Sequence, residues 1–352
     1  MLQNEKISCF TELGKFLGQF NYESYSKNAT VFHNDNFYER MVKLIEELPH
    51  INGWFTKENV CYSLQTWSKA LTKENLSNWL QPYTIKENSN KTVAVIMAGN
   101  IPLVGFHDFL SVLLSGNRIV IKMSSNDRHL LNLVIEYLCA LNSNFKDFIS
   151  VSDDKLQDYD AVIATGSNNT SRYFEYYFKD KPHIIRKNRN SVAVLFGDET
   201  KDDLFNLGKD IFTYFGLGCR NVSKIFVPKN YNFDFFFNAI YPYKYLIEYK
   251  KYANNYDYNK AVYLMSLFPI LDNGFFTLKE DMGYSSPISS VFYEYYEDEN
   301  ELYEKLNKDK EMIQCIVSNK KNNNFIPFGK SQEPELYDYA DGIDTLSFLT
   351  KL

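Results

Sequence analysis

Between Thr92 and Phe196 the chain alternates unbroken apolar runs with stretches whose apolar residues recur every three or four positions. Thr92–Met97, Arg118–Lys122, Asp160–Ala164 and Ser191–Phe196 are the apolar runs. Runs of this kind read as strands buried on both faces. Phe106–Leu114 reads as a helix closed by Ser115-Gly116-Asn117. A second helix, capped by Ser125 or Asn126, runs to about Leu141, with Leu130, Leu133, Val134, Tyr137 and Leu141 on its inner face. Strand–helix alternation over about a hundred residues predicts an α/β fold with a parallel, doubly wound sheet. Ligands of such sheets bind at the carboxyl ends of the strands. The turns there carry Asn100, Lys122 to Ser125, and Gly166-Ser167.

The flanking regions follow other patterns. Residues 1 to about 85 read as helices, for example Phe37–Leu48 and Thr72–Leu80, packed by Trp54, Trp67 and Trp79, with Cys61 in the core. Asn88-Ser89-Asn90 marks a loop before the first strand. Further on, Leu204, Leu207, Ile211 and Phe215 share one helical face, and Thr200 with Asp203 forms the N-terminal capping pair. Gly216 and Gly218 stop that helix, since glycine accepts positive φ and close approach. Cys219 follows, ahead of a strand at Lys224–Val227. The section from Asn230 to Lys260 carries no readable site. Strands are expected at Ile288–Tyr293 and at Ile313–Val317, which contains Cys315, with an acidic segment from Glu294 to Glu304 between them.

Composition removes several function classes. A chain of 352 residues is long enough for two domains. A net charge of −6 and an isoelectric point near 5.5 argue against a general nucleic-acid role, which needs a basic face. The five cysteines, Cys9, Cys61, Cys139, Cys219 and Cys315, form no CxxC pair, so neither a zinc site nor a disulfide framework is expected, and a reducing, cytoplasmic setting fits. The N-terminus has no signal-peptide pattern. The apolar stretch from Val93 to Val120 is broken by Asn100, Pro102, His107, Asp108 and Asn117, so it is not a membrane span. Cys219 itself has two readings. It is a nucleophile that glycine neighbours leave open to an acyl carbon, or a buried structural cysteine.

Six segments, in order, resemble the aldehyde dehydrogenase superfamily from about Val93 to the C-terminus. Asn100-Ile101-Pro102-Leu103 is similar to that superfamily's Asn-Phe-Pro-Leu turn. Gly116 to Ser124 is similar to its Gly-Asn-x-Val-Val-x-Lys-Pro-Ser strand, and Thr165-Gly166-Ser167 to its Thr-Gly-Ser turn. Gly216-Leu217-Gly218-Cys219 resembles the Gly-Gln-x-Cys nucleophile segment. Glu280 with Pro287 resembles a loosened Glu-x-Phe-Gly-Pro, and Pro327-Phe328-Gly329-Lys330 the C-terminal Pro-Phe-Gly-Gly. Within the superfamily, the ending Gly329 to Gly342 resembles the acyl-CoA reductases of the LuxC-like branch.

The resemblance implies an aldehyde-dehydrogenase-like fold, with two Rossmann-like parallel-sheet domains and an active-site cleft between them. Residues 1–190 would form a helical N-terminal region plus the cofactor domain, 191–330 the catalytic domain, and 331–352 a tail in an interdomain or oligomer contact. It implies an acyl-CoA reductase that makes an aldehyde from a fatty acyl thioester, CoA- or carrier-bound, with NADPH (or NADH). Cys219 would carry the acyl group, and Asn100 with the Cys219 backbone N–H would hold the oxyanion. Lys122, Ser125, Gly166, Ser167 and Glu280 would bind the cofactor. No metal is implied. An acyl-transferring partner enzyme and a homo-oligomer are expected.

Two departures shape this reading. Arg186 stands where ordinary aldehyde dehydrogenases carry the Glu that activates water, so a thioester on Cys219 should persist. Ser125 stands where NAD-binding members have a Glu for the ribose hydroxyls, which removes repulsion against a 2′-phosphate. The basic run Arg172, Lys179, Lys181, Arg186, Lys187 and Arg189 either meets phosphates or is a solvated face. The rivals are an NAD(P)-dependent aldehyde dehydrogenase, a non-redox acyl carrier or transferase subunit, and a pure binding module.

Overall fold

The computed structural model describes residues 1–86, 89, 91–320 and 325–352. Two of the three residues of the expected Asn88–Asn90 loop, Asn88 and Asn90, lie outside that set. The chain divides into two units, Met1–Lys187 with Glu335–Leu352, and Asn188–Pro334.

In the first unit, four helices come first: α1 (Gln3–Leu17), α2 (Asn34–Ile51), α3 (Lys57–Ala70) and α4 (Lys73–Leu80). Thr56 and Thr72 cap α3 and α4, each accepting the N–H three residues on. Then follow β1 (Thr92–Ile96), α5 (Phe106–Leu114), β2 (Arg118–Lys122), α6 (Arg128–Leu141), β3 (Ile149–Val151), β4 (Ala161–Thr165), α7 (Asn168–Tyr177) and β5 (His183–Arg186). The strands form a sheet in the order β3-β2-β1-β4-β5, with every pairing parallel. The chain leaves central β1 toward β2 on one side and returns to β4 on the other, which creates a crevice at the carboxyl end.

The N-terminal helices are part of this unit's core. Phe10 of α1 meets Phe106, Phe109 and Phe145 edge-on, with centroids 6.0–6.5 Å apart. Each fully buried phenylalanine contributes about 1.5–3 kcal/mol. Trp67 packs on Phe106, while Trp79 packs on His107 and Tyr339, and Cys61 is buried. Lys6 is buried as well, and its ammonium donates to the Leu113 carbonyl at 2.8 Å. The same carbonyl also accepts the Gly116 N–H at 3.3 Å, so the ammonium is a second donor to the end of α5.

The second unit contains β6 (Asn190–Val194), α8 (Lys201–Phe212), β7 (Val222–Pro228), α9 (Phe233–Ile240), α10 (Lys250–Met265), β8 (Ile270–Asp272), β9 (Thr277–Glu280), β10 (Ser290–Tyr296), α11 (Glu299–Lys308), β11 (Ile313–Val317) and β12 (Phe325–Ile326). Its sheet runs β12-β11-β6-β7-β10-β9-β8, parallel except for the β8–β9 pair. A last helix, α12 (Thr345–Thr350), returns to the first unit.

Most expected elements appear within a residue or two. The capping box of α8 forms as expected: the Thr200 hydroxyl accepts the Asp203 N–H, and the Asp203 carboxylate accepts the Thr200 N–H. Two expectations need correcting. Neither Ser125 nor Asn126 caps α6; the chain makes a further turn and Asp127 takes that position. The helix expected to reach Phe215 ends at Phe212, because Tyr214 and Phe215 are left-handed.

Candidate active site

The carboxyl end of the first sheet gathers most of the expected cofactor residues. Parallel register aligns Ile96 with Lys122 and with Ala164, so the turns after β1, β2 and β4 leave the sheet at one level. Asn100 lies in the turn after β1 and is exposed. A Cβ on Gly99 would collide with Ser124, which explains glycine where the β1 and β2 turns touch. Lys122 ends β2, and its ammonium donates to the Asp154 carbonyl at 3.3 Å. Ser125 lies in the turn after it. After β4, Ser167 caps α7 by accepting the Thr170 N–H at 3.3 Å, and Gly166 precedes it. A glycine followed by a helix start, at the carboxyl end of a parallel sheet, is a setting in which backbone N–H groups meet phosphate.

A feature missed in the sequence supports the Asn100 turn. Leu103 is left-handed at φ 57°, a costly conformation for leucine. The Asp127 carboxyl is buried beside the Asn100 turn, close to the backbone N–H groups of Leu103 and Val104, and its Oδ1 makes no hydrogen bond among the described residues. Burial holds its pKa well above the usual carboxylate range, while the two N–H groups oppose that shift. Asp127 at the start of a helix reads as an ordinary cap, so nothing local signals this placement.

Arg186 is a strut of the first unit. It is 5% exposed, and its guanidinium donates to Asp108 at 2.7 Å, to the Ala340 carbonyl at 2.7 Å and to the Thr345 hydroxyl at 2.9 Å. It thereby ties β5, α5 and the C-terminal segment together. Three others of the basic run go to separate partners: Lys187 pairs with Glu175, Arg189 with Glu311, and Lys181 donates to the Tyr159 carbonyl.

In the second unit, Cys219 is exposed in the turn between α8 and β7, which rules out the buried structural reading. Tyr214, Phe215 and Gly216 have φ of 55°, 58° and 79°. Left-handed backbone costs a non-glycine residue about 1–2 kcal/mol. Packing holds Phe215 there, with its ring centroid 5.1 Å from that of Tyr249 and 6.1 Å from that of Tyr252. Asn221 binds the turn from within. Its amide donates to the carbonyls of Thr213 (2.7 Å) and Asp210 (3.1 Å), and its oxygen accepts the Gly218 N–H at 2.8 Å. From β6, the Ser191 hydroxyl lies 2.9 Å from the Cys219 carbonyl and 3.0 Å from the Cys315 sulfur. Burial pushes the Cys315 thiol up to about 11, so it stays protonated at neutral pH.

The Pro327–Lys330 segment is anchored to the same helix. The Asp210 carboxylate accepts the N–H groups of Gly329 at 2.6 Å and Ser331 at 2.9 Å. Glu280 is placed differently. It ends β9 opposite Tyr293, which in turn faces Ile225 in the middle of β7. Cys219 precedes the amino end of β7. Nearer that end, the Tyr284 carbonyl accepts from the Ser223 hydroxyl at 2.6 Å.

Known structures share this architecture. Aldehyde dehydrogenase 21 from Physcomitrella patens superposes with a TM-score of 0.62 at 12% identity, over 91% of this chain and 74% of that one. An aldehyde dehydrogenase from Bacillus cereus, solved as its NAD+ complex, gives 0.59 at 14% identity, over 87% and 70%. An oxidoreductase from Marinobacter aquaeolei gives 0.61 at 11% identity, over 88% and 71%. At such identities the likeness establishes the fold, that of the aldehyde dehydrogenase superfamily. No curated protein matches the chain in sequence. The family model described as acyl-CoA reductase (LuxC) matches residues 3–235, about two thirds of the chain. The chain belongs to that family and is an oxidoreductase. Among the described residues, no helix is long and apolar enough to cross a membrane.

Proposed function

We propose that the protein reduces a fatty acyl thioester to its aldehyde through an acyl group held on Cys219, with NADPH as the reductant. The observation that carries this reading is an exposed cysteine on a rigidly bound turn, in a chain of the acyl-CoA reductase family. The Cys219 sulfur bonds to the acyl carbonyl carbon, the bond from that carbon to the CoA sulfur breaks, and CoA leaves as a thiolate that takes up a proton. Asn100 and the Cys219 N–H stabilise the negative oxygen of the tetrahedral state, a type of contact worth about 10²–10³ in rate per donor.

The nicotinamide cofactor supplies a hydride to the thioester carbon. The residues present suit it: Ser167 at the start of α7 would offer its N–H to the pyrophosphate, Gly166, whose own N–H donates to the Arg186 carbonyl, would let the phosphate approach closely, and Lys122 and Ser125 would meet the adenosine ribose and a 2′-phosphate. Glu280, at the end of β9, would hold the nicotinamide ribose. When the carbon–sulfur bond breaks, the Cys219 thiolate is regenerated and the aldehyde released. The test is mass spectrometry of the protein mixed with octanoyl-CoA without NADPH. A lasting octanoyl adduct on Cys219, discharged by NADPH as octanal, supports the reading. Steady release of octanoate instead would point to a hydrolytic, aldehyde-dehydrogenase-like enzyme.

A further inference from the structure

The turn that carries Cys219 is bound by a side chain with no place in the family resemblance. Asn221 uses its whole carboxamide on this turn: the amide on carbonyls at the end of α8, the oxygen on the Gly218 N–H. Its backbone N–H also donates, to the Gly218 carbonyl at 3.0 Å. Both polar groups of Gly218 are therefore fixed by one residue. This has a geometric consequence for the next peptide. The Gly218 carbonyl and the Cys219 N–H belong to one planar unit, and no peptide bond among the described residues is cis. In a trans peptide those two groups point in opposite directions. With the carbonyl turned to the Asn221 backbone N–H, the Cys219 N–H is aimed to the opposite side of the turn, and the Asn221 side chain keeps that turn closed by holding the Gly218 N–H against the end of α8. The left-handed run from Tyr214 to Gly216 makes a pin necessary, because a strained segment relaxes unless its surroundings over-determine it.

We infer that Asn221 is a positioning residue for acyl transfer: its side chain locks the turn in which the peptide ahead of Cys219 sits, so that the Cys219 N–H faces the oxyanion of the incoming thioester. This rests on the reading of Cys219 as the acyl acceptor. A carboxamide suits the task because only a group with both donors and an acceptor can bind carbonyls and an N–H at once.

The test compares two reactions of the same sulfur. Alkylation by iodoacetamide needs the thiolate but develops no oxyanion, whereas acylation by octanoyl-CoA needs both. In Asn221→Ala the rate of acylation at Cys219, read on its tryptic peptide, should fall about ten- to hundredfold, a fraction of what a lost donor costs. The alkylation rate and its pH profile should stay within about twofold. Asn221→Ser, which keeps one polar group, should recover part of the acylation rate, and it replaces the alanine variant if that one does not fold. Equal losses in both reactions, or no loss in either, would overturn the proposal and leave Cys219 as acyl acceptor intact. Failure of the unsubstituted protein to acylate would instead remove the nucleophile reading, and this inference with it.

Discussion

Gly329 donates its N–H to the buried Asp210 carboxylate at 2.6 Å, joining the C-terminal Pro-Phe-Gly segment to the helix that leads to Cys219. Burial is the main influence on Asp210 and raises its pKa from 3.8 to about 6, although the N–H groups of Gly329 and Ser331 oppose it. The folded state therefore holds a proton that the unfolded chain releases. A raised carboxyl pKa favours folding most below the unfolded value, and the benefit is lost as pH rises through the folded one. Urea unfolding should show the Asp210 contribution declining between about pH 4 and pH 6. In Asp210→Asn that slope should disappear. The variant should also lose about 1–3 kcal/mol at pH 7, because an amide cannot accept both N–H groups equally well.

Cys219→Ala should abolish the acyl adduct and lower aldehyde formation by at least about 10³-fold, since a covalent route has no other acceptor in the turn. Cys315 is only partly exposed and is held protonated at neutral pH, so it does not substitute. Because Cys219 is exposed, unfolding stability should change by no more than about 0.5 kcal/mol. Intact-mass spectrometry and calorimetry check the two halves. An unchanged turnover would mean that the chemistry lies elsewhere.

Arg186→Glu should destabilise the first unit by about 3–5 kcal/mol, since it places a carboxylate against buried Asp108 in place of its ion-pair partner. Thermal melting measures the loss. The substitution does not test water activation at Cys219, because the Arg186 side chain is committed to Asp108, Ala340 and Thr345. A variant as stable as the parent would show that this network contributes little.

Ser125→Glu should lower NADPH affinity at least about tenfold and affect NADH much less, because a new carboxylate would face the 2′-phosphate but could bind ribose hydroxyls. Fluorescence titration with both nucleotides reads the ratio. Parallel losses for the two would place Ser125 away from the ribose.

Much of the fold was legible because strands buried on both faces leave unbroken apolar runs, and β1, β2 and β11 appear close to where those runs predict. The Thr200–Asp203 box was legible because a capping pair is local, as was the glycine-rich approach to Cys219. Asp127 was not, since its carboxyl is buried beside a turn more than twenty residues earlier in the chain. Glu280 entered through the resemblance of Glu280 with Pro287 to a family segment, while its position opposite Tyr293 is set by strand register, a property of paired strands. Arg186 stood in a basic run that suggested phosphate, and only the folded C-terminal segment shows its carbonyl and hydroxyl partners.

The sequence by itself determined the order of strands and helices, the glycines that open the turns, and the single cysteine placed between a helix and a strand. These are set by periodicity and local backbone preference, which act over a few residues. Tertiary structure alone decided which polar groups hold those turns. Asp210, Asn221, Ser191 and Arg186 take partners that burial deprives of water, and the identity of a partner depends on which distant segment folds against it.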